Sequence, residues 1–207
     1  MRIFNKNELN TGMLNWADEI LCSKKSTQYK LNNEIRQSLG LEGHPQIGDK
    51  VINLRNDWDF LSNKNNPLTN GVIGRITELS EQEWEYPFLF RKGTWGCIKV
   101  PVTYASIQAI DSEDEIFSGI YYDTNHILTN EASLTGPEEY QIFKHKRAVP
   151  MLFSYGYVIT VWKAQGSEWD KVLLFEENGW PRTADMRKRY LYTGITRAVN
   201  KLVVIKK

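Results

Sequence analysis

Four short apolar runs constrain the fold of this chain more than anything else in it: Glu19-Ile20-Leu21-Cys22 and the segments 157–161, 171–175 and 201–205. Their apolar residues are nearly continuous and do not alternate with polar ones. Strands of that kind are buried on both faces, as in a parallel sheet covered by helices. Helical spacing falls between the runs. Leu31, Ile35 and Leu39 recur at i, i+4 and i+8, and Gly40 follows as a helix stop. Met186, Tyr190, Leu191 and Ile195 form a second stripe between Ala184 and Ala198. Strands that alternate with helices predict an α/β layer.

A different pattern fills the middle. Segments 50–54, 72–76, 97–100, 104–110 and 116–122 are short and β-rich, with turn signals at Gly48-Asp49 and the hairpin dipeptide Asn70-Gly71. Short strands broken by Gly, Pro and Asn predict a small antiparallel barrel over 46–125. Pro137 followed by Glu138-Glu139-Tyr140 predicts a helix start. Two domains are expected: an α/β domain from 1–45 and 146–207, and a β-rich insert from 46–145.

The 207 residues are 41% apolar and 25% charged, which argues against disordered, collagenous and coiled-coil classes. No run of 18 apolar residues occurs, so neither a spanning helix nor a membrane partner is expected. The start, Met1-Arg2-Ile3-Phe4-Asn5-Lys6, lacks the apolar stretch of a signal peptide. Cys22 and Cys97, 75 positions apart, match no metal-ligand spacing and no disulfide framework. A reducing cytoplasm is the expected compartment. The net charge of +1 is unevenly spread: 78–139 holds 12 acidic and 3 basic side chains, and 140–207 holds 13 basic and 5 acidic. The basic third suits an anion such as nucleic acid or nucleotide phosphate. It equally suits the acidic segment inside the fold.

Two stretches carry the chemistry. Thr160-Val161-Trp162-Lys163-Ala164-Gln165-Gly166-Ser167-Glu168-Trp169-Asp170 leaves one apolar strand and enters the next. Ligands of parallel sheets bind at the carboxyl ends of strands. Thr160 offers a hydroxyl there and Lys163 a point charge for phosphate. Gly166 permits close backbone approach, and Glu168 is an acceptor for a sugar hydroxyl. The same residue types also make a solvated loop, with Trp162 and Trp169 as packing. In the second stretch, Arg187-Lys188-Arg189 reads as a solvated basic face, and Arg197 ends a helix just before the last strand. A guanidinium on a rigid element can neutralise charge on a transferring phosphoryl group. It can also bond the last carbonyls of its own helix.

Together these stretches resemble a known family. Residues 160–168 resemble motif V of superfamily 1 helicases, and Tyr192-Thr193-Gly194-Ile195-Thr196-Arg197-Ala198 resembles their motif VI. The pairing is most similar to the RecD-like branch, which includes phage and plasmid helicases. Gly48-Asp49-Lys50-Val51-Ile52, Arg55-Asn56 and Asn70-Gly71 resemble the SH3-like barrel that this branch inserts into its second RecA-like domain. The segment 27–36, with Asn32 and Arg36, resembles the motif IV region. The resemblance implies that Glu168, beside Gln165 and Gly166, holds the nucleotide ribose, and that Arg197 is the arginine finger. It places Thr160, Trp162 and Lys163 along single-stranded DNA and implies 5′-to-3′ translocation. Trp162 stands where the family usually has histidine; indole cannot titrate as imidazole does, but it can stack on a base.

No G-x-x-x-x-G-K-[ST] occurs, and no apolar strand ends in a paired Asp-Glu. In the resembled helicases those parts grip phosphates and magnesium in a preceding RecA-like domain. ATP and magnesium are therefore expected only together with such an N-terminal motor domain of the same protein. This chain alone is not expected to hydrolyse ATP. The alternative expectation is a non-enzymatic nucleic-acid-binding or adaptor module that has lost the motor.

Overall fold

The computed structural model describes residues 1–145, 147–177 and 183–206. In chain order it contains β1 (Arg2–Asn5), α1 (Thr11–Trp16), β2 (Glu19–Cys22), α2 (Lys25–Ser38), β3 (Lys50–Asn53), β4 (Asp57–Leu61) and β5 (Pro67–Leu68). There follow β6 (Ile73–Arg91), β7 (Thr94–Ala109), β8 (Ile116–Asp123), α3 (Thr124–Thr129) and α4 (Gly136–Lys144). The last elements are β9 (Phe153–Tyr155), β10 (Val158–Thr160), β11 (Trp169–Glu176), α5 (Ala184–Ile195) and β12 (Ala198–Lys206). No helix among the described residues is long and apolar enough to cross a membrane. The chain divides into two compact units, 1–42 with 156–207, and 43–155.

The first unit is an α/β layer. Its five strands are all parallel, in the order β1-β12-β11-β2-β10. The apolar runs form its interior: Ile20, Leu21, Val158, Ile159, Val172, Leu173 and Leu174 are each 2% exposed or less. Burial also pushes the Cys22 thiol far above its ordinary value, so it is an inert packing group. Helix α2 buries Leu31 and Ile35, whereas Leu39 is 50% exposed. Leu39 is already the C-cap, and Gly40 next to it has φ +76°. There the Gly40 N–H donates to the Gln37 carbonyl and the Leu41 N–H to the Arg36 carbonyl, closing a Schellman motif. Strand β1 is an exposed edge with no continuous apolar run to mark it in the sequence.

Asn32 docks α2 on the sheet. Its Nδ2 donates to the Val158 carbonyl and its Oδ1 accepts from the Val158 N–H, both at 3.0 Å. Strand β10 is an edge with β2 as its one neighbour, so this amide stands in for a missing strand.

The second unit differs from expectation. Its five-stranded antiparallel sheet has the open order β8-β7-β6-β3-β9, beside a small β4-β5 pair. The two ends of the sheet meet at one bridge, Tyr122 with Met151, and not along a strand-length ladder. A closed barrel is therefore not what the structure shows. Several expected short strands are pieces of two long ones: β6 has 19 residues and β7 has 16. Pro101 did not break β7, because β8 reaches only Val102 and a single neighbour, β6, flanks that position. Asn70-Gly71 is a turn, but β5 and β6 on either side of it lie in different sheets. The tight hairpin is instead at Lys92-Gly93, where φ is +48° and +85°.

Helix α4 is locked by a capping box at Thr135 and Glu138. The Arg91 guanidinium bonds both oxygens of Glu138 and also donates to the Ser133 carbonyl. With help from Thr135, this holds the Glu138 carboxyl at about 2, against an ordinary 4.5. A carboxyl depressed in the folded state stabilises above its unfolded pKa and loses that contribution as pH falls toward 2. Glu138→Gln is expected to cost up to about 3 kcal/mol at neutral pH. It should also flatten the decline in stability between pH 5 and 2, roughly the window set by the two pKa values. Denaturant melts of both proteins at neutral and acid pH measure this; equal stability at every pH would contradict it.

Candidate nucleotide and nucleic-acid interface

Residues 161–168 join the carboxyl end of β10 to the amino end of β11. In a parallel sheet that connection must run the length of the strands. Thr160 is level with Cys22, and Leu21 is level with Leu174. Trp169 therefore lies about six residues down the sheet from Thr160, roughly 20 Å at ~3.3 Å per residue. The stretch is therefore spread between the two ends of the sheet. Thr160, Trp162 and Lys163 stay at the carboxyl end, while Glu168 leads into the amino end of β11.

At the carboxyl end, the Thr160 carbonyl accepts from the N–H groups of Lys163 and Ala164, a tight turn that buries Val161 and Ala164 and leaves Trp162 exposed between them. Thr160 itself is only 9% exposed, whereas the Trp162 indole is 41% exposed. Lys163 is half-buried; burial first, and then the neighbouring Lys25 charge, push its amine below the usual value. Lys25 opens α2, directly after β2, so the two lysines share one edge of the sheet. Sequence reasoning missed Lys25. Its signal was its place in the first turn after a neighbouring strand.

Glu177 was also missed. It follows β11 and accepts from the N–H groups of Ser23 and Lys24 at 2.8 and 2.9 Å, and from the hydroxyls of Ser23 and Thr27. Burial pushes this carboxyl up, but the four bonds outweigh it and hold it below the ordinary value. The carboxylate thus caps α2, whose own N-cap Lys24 makes no side-chain cap. A cleft of about 400 Å³ opens beside it, lined by Lys6, Thr27, Lys30 and Phe175 among others; none of the expected site residues lines it.

Arg197 lies at the other end, between α5 and β12. Its Nε donates to the Thr193 carbonyl at 3.1 Å, Nη1 to the Ser167 carbonyl at 2.9 Å, and Nη2 to the Thr196 hydroxyl at 3.1 Å. Its own carbonyl accepts from the Trp169 N–H at 2.9 Å. The side chain therefore ties the loop before β11 to the end of α5. Helix α5 is itself pressed onto the sheet: a Cβ at Gly194 would come within 2.8 Å of Leu174, and the Tyr190 hydroxyl donates to the Phe175 carbonyl. Gln165, Gly166 and Glu168 are exposed along the same loop, and Gly166 has φ +91°. Among the described residues no cluster of three or more His, Cys, Asp or Glu side chains is arranged to hold a metal ion.

The described geometry is that of an α/β domain whose loop 161–168 and α5–β12 junction are joined by one arginine. Residues 155–205, which contain both, match the UvrD-like helicase C-terminal domain family. No curated protein sequence matches the chain. Among solved structures it is similar to Pif1 helicase from Bacteroides in complex with ADP-AlF3 and ssDNA, at 13% identity and TM-score 0.41, covering 90% of this chain and 39% of that one. It is also similar to Pif1 helicase from Candida albicans, at 12% identity and TM-score 0.46, covering 90% of this chain and 44% of that one. The chain thus spans about two fifths of the length of those helicases.

Proposed function

We propose that this chain is the C-terminal part of a RecD-like superfamily 1 DNA helicase: a second RecA-like domain carrying an SH3-like insert. The observation that carries the reading is the family match over 155–205, a span that holds both chemical stretches and the arginine between them. In this reading Arg197 is the arginine finger. Three of its N–H groups are held by Thr193, Ser167 and Thr196 among the described residues, and a guanidinium has five. One N–H on each terminal nitrogen is left to meet a γ-phosphate from a fixed position. Glu168, with Gln165 and Gly166, takes the ribose. ATP and magnesium are bound only with the N-terminal motor domain, which supplies the phosphate-gripping parts.

Single-stranded DNA runs along the opposite end, over Thr160, Trp162 and Lys163. The closeness of Lys25 to Lys163 supports this, because it gathers two positive charges at the end where a phosphate backbone would pass. Titrating labelled oligo-dT at low and moderate salt tests it. Binding should weaken with salt, and Lys163→Ala should bind less tightly with a shallower salt slope. Trp162→Ala should lose about 1–3 kcal/mol if the indole stacks on a base. Salt-independent binding, or none, would remove the DNA track from this surface. A motorless adaptor is the second reading, favoured by the three structural bonds that Arg197 already makes.

A further inference from the structure

The distal part of the β6–β7 hairpin extends past both neighbouring strands. Strand β3 pairs with β6 only from Ile73 to Arg75, and β8 reaches β7 only from Val102 onward. What remains is a two-stranded ribbon closed by Lys92-Gly93. One face carries Tyr86, Leu89, Ile98 and Val100 and is buried with Ile142 of α4. By strand alternation the opposite face carries the pairs Glu83–Pro101, Glu85–Lys99 and Phe90–Trp95. Among the described residues nothing covers its tip: Phe90 is 44% and Trp95 68% exposed, with ring centroids 5.3 Å apart. An aromatic pair standing in water on an uncovered ribbon is the sort of surface that proteins ordinarily cover or break up.

Charge says what covers it. The segment 78–139 holds 12 acidic side chains and 3 basic ones. Of those three, Arg91 is bound to Glu138, Lys92 is exposed at the hairpin turn, and Lys99 lies 2.8 Å from Glu83 and 3.0 Å from Glu85. A nucleic-acid strand laid on this face would bring phosphates against carboxylates. A basic segment laid along the ribbon would meet both attractions, the ring faces near the tip and, at the pairs four and six residues farther along β7, the carboxylates of Glu85 and Glu83.

We propose that the bare face of this ribbon docks a basic segment of a partner protein, with an arginine stacked on Trp95 and Phe90 and further cations facing Glu83 and Glu85. Arginine fits because its planar guanidinium stacks on aromatic faces and is weakly hydrated, so it loses little on leaving water. The proposal is independent of the helicase reading, since no residue of the loop 161–168 or of the α5–β12 junction takes part.

The probe is a labelled peptide alternating arginine and alanine, titrated into the full chain, with its glutamate counterpart and oligo-dT as controls. The arginine peptide should bind and weaken with salt. Trp95→Ala should reduce its affinity by about fivefold or more, and Glu83→Gln with Glu85→Gln by a similar factor. Trp95→Phe, which keeps a ring, should retain most of the binding. Because these side chains are exposed, unchanged melting temperatures will show that the variants fold. Arginine-peptide binding that ignores Trp95, or no binding, overturns the proposal. So does oligo-dT binding that Trp95→Ala abolishes, which would make the ribbon a nucleic-acid surface.

Discussion

Arg197→Ala, made in this chain joined to the N-terminal motor domain that the proposed helicase reading requires, is expected to lower ATP turnover by about 10³-fold or more. The magnitude follows from the role: a guanidinium that neutralises charge on a transferring phosphoryl group acts mostly in the transition state. Oligo-dT affinity should change little, because Arg197 and the lysine pair lie at opposite ends of the sheet. The same side chain also holds Ser167 to Thr193, so a structural contribution has to be separated. Arg197→Lys is informative here. It keeps the positive charge but not the fork of donors that spans both carbonyls and a phosphate. Loss of turnover in both variants with unchanged melting temperature supports the finger. Parallel loss of turnover, DNA binding and stability would make Arg197 a structural clamp and favour the motorless reading.

Asn32→Ala should destabilise the first unit by about 2–4 kcal/mol. One side-chain amide there satisfies both the N–H and the carbonyl of Val158, and Asn32 is 2% exposed. Removing it strands two backbone groups, each costing about 1–3 kcal/mol when buried without a partner, less whatever water recovers. Asn32→Asp should fare no better, because a carboxylate accepts from the Val158 N–H but repels its carbonyl. Denaturant unfolding measures the loss, and amide exchange at Val158 localises it. Stability within ~0.5 kcal/mol of the parent would refute the account. A functional effect should follow as well, because Val158 belongs to the strand that ends at Thr160 and positions Trp162 and Lys163.

Much of the first unit was readable from the chain. Strands β2, β10, β11 and β12 coincide with the apolar runs, because burial on both faces leaves a continuous apolar signature. Helix α2 was readable from Leu31 and Ile35, and its end from Gly40. The second unit was less readable. Acidic and aromatic residues from Glu78 to Phe90 hide a long strand whose bare face needs no apolar residues. The turn dipeptide Asn70-Gly71 sets local backbone shape, but the pairing of distant strands decides whether a hairpin results. The candidate site was readable as a list of residues and not as a place. Thr160 and Glu168 are eight positions apart, yet they face opposite ends of the sheet.

By itself, the sequence determined which segments are apolar on both faces, where helices must stop, and which side chains are candidates for contacting phosphate and sugar. These are local matters of composition and spacing. Only the tertiary structure decided that the connection between β10 and β11 divides those side chains between two ends, that Arg197 bridges Ser167 and Thr193, and that Glu177 caps α2. Each of these depends on contacts across long stretches of chain. Parallel pairing forces the first, and the other two require distant segments to be brought within hydrogen-bonding reach, which no local pattern encodes.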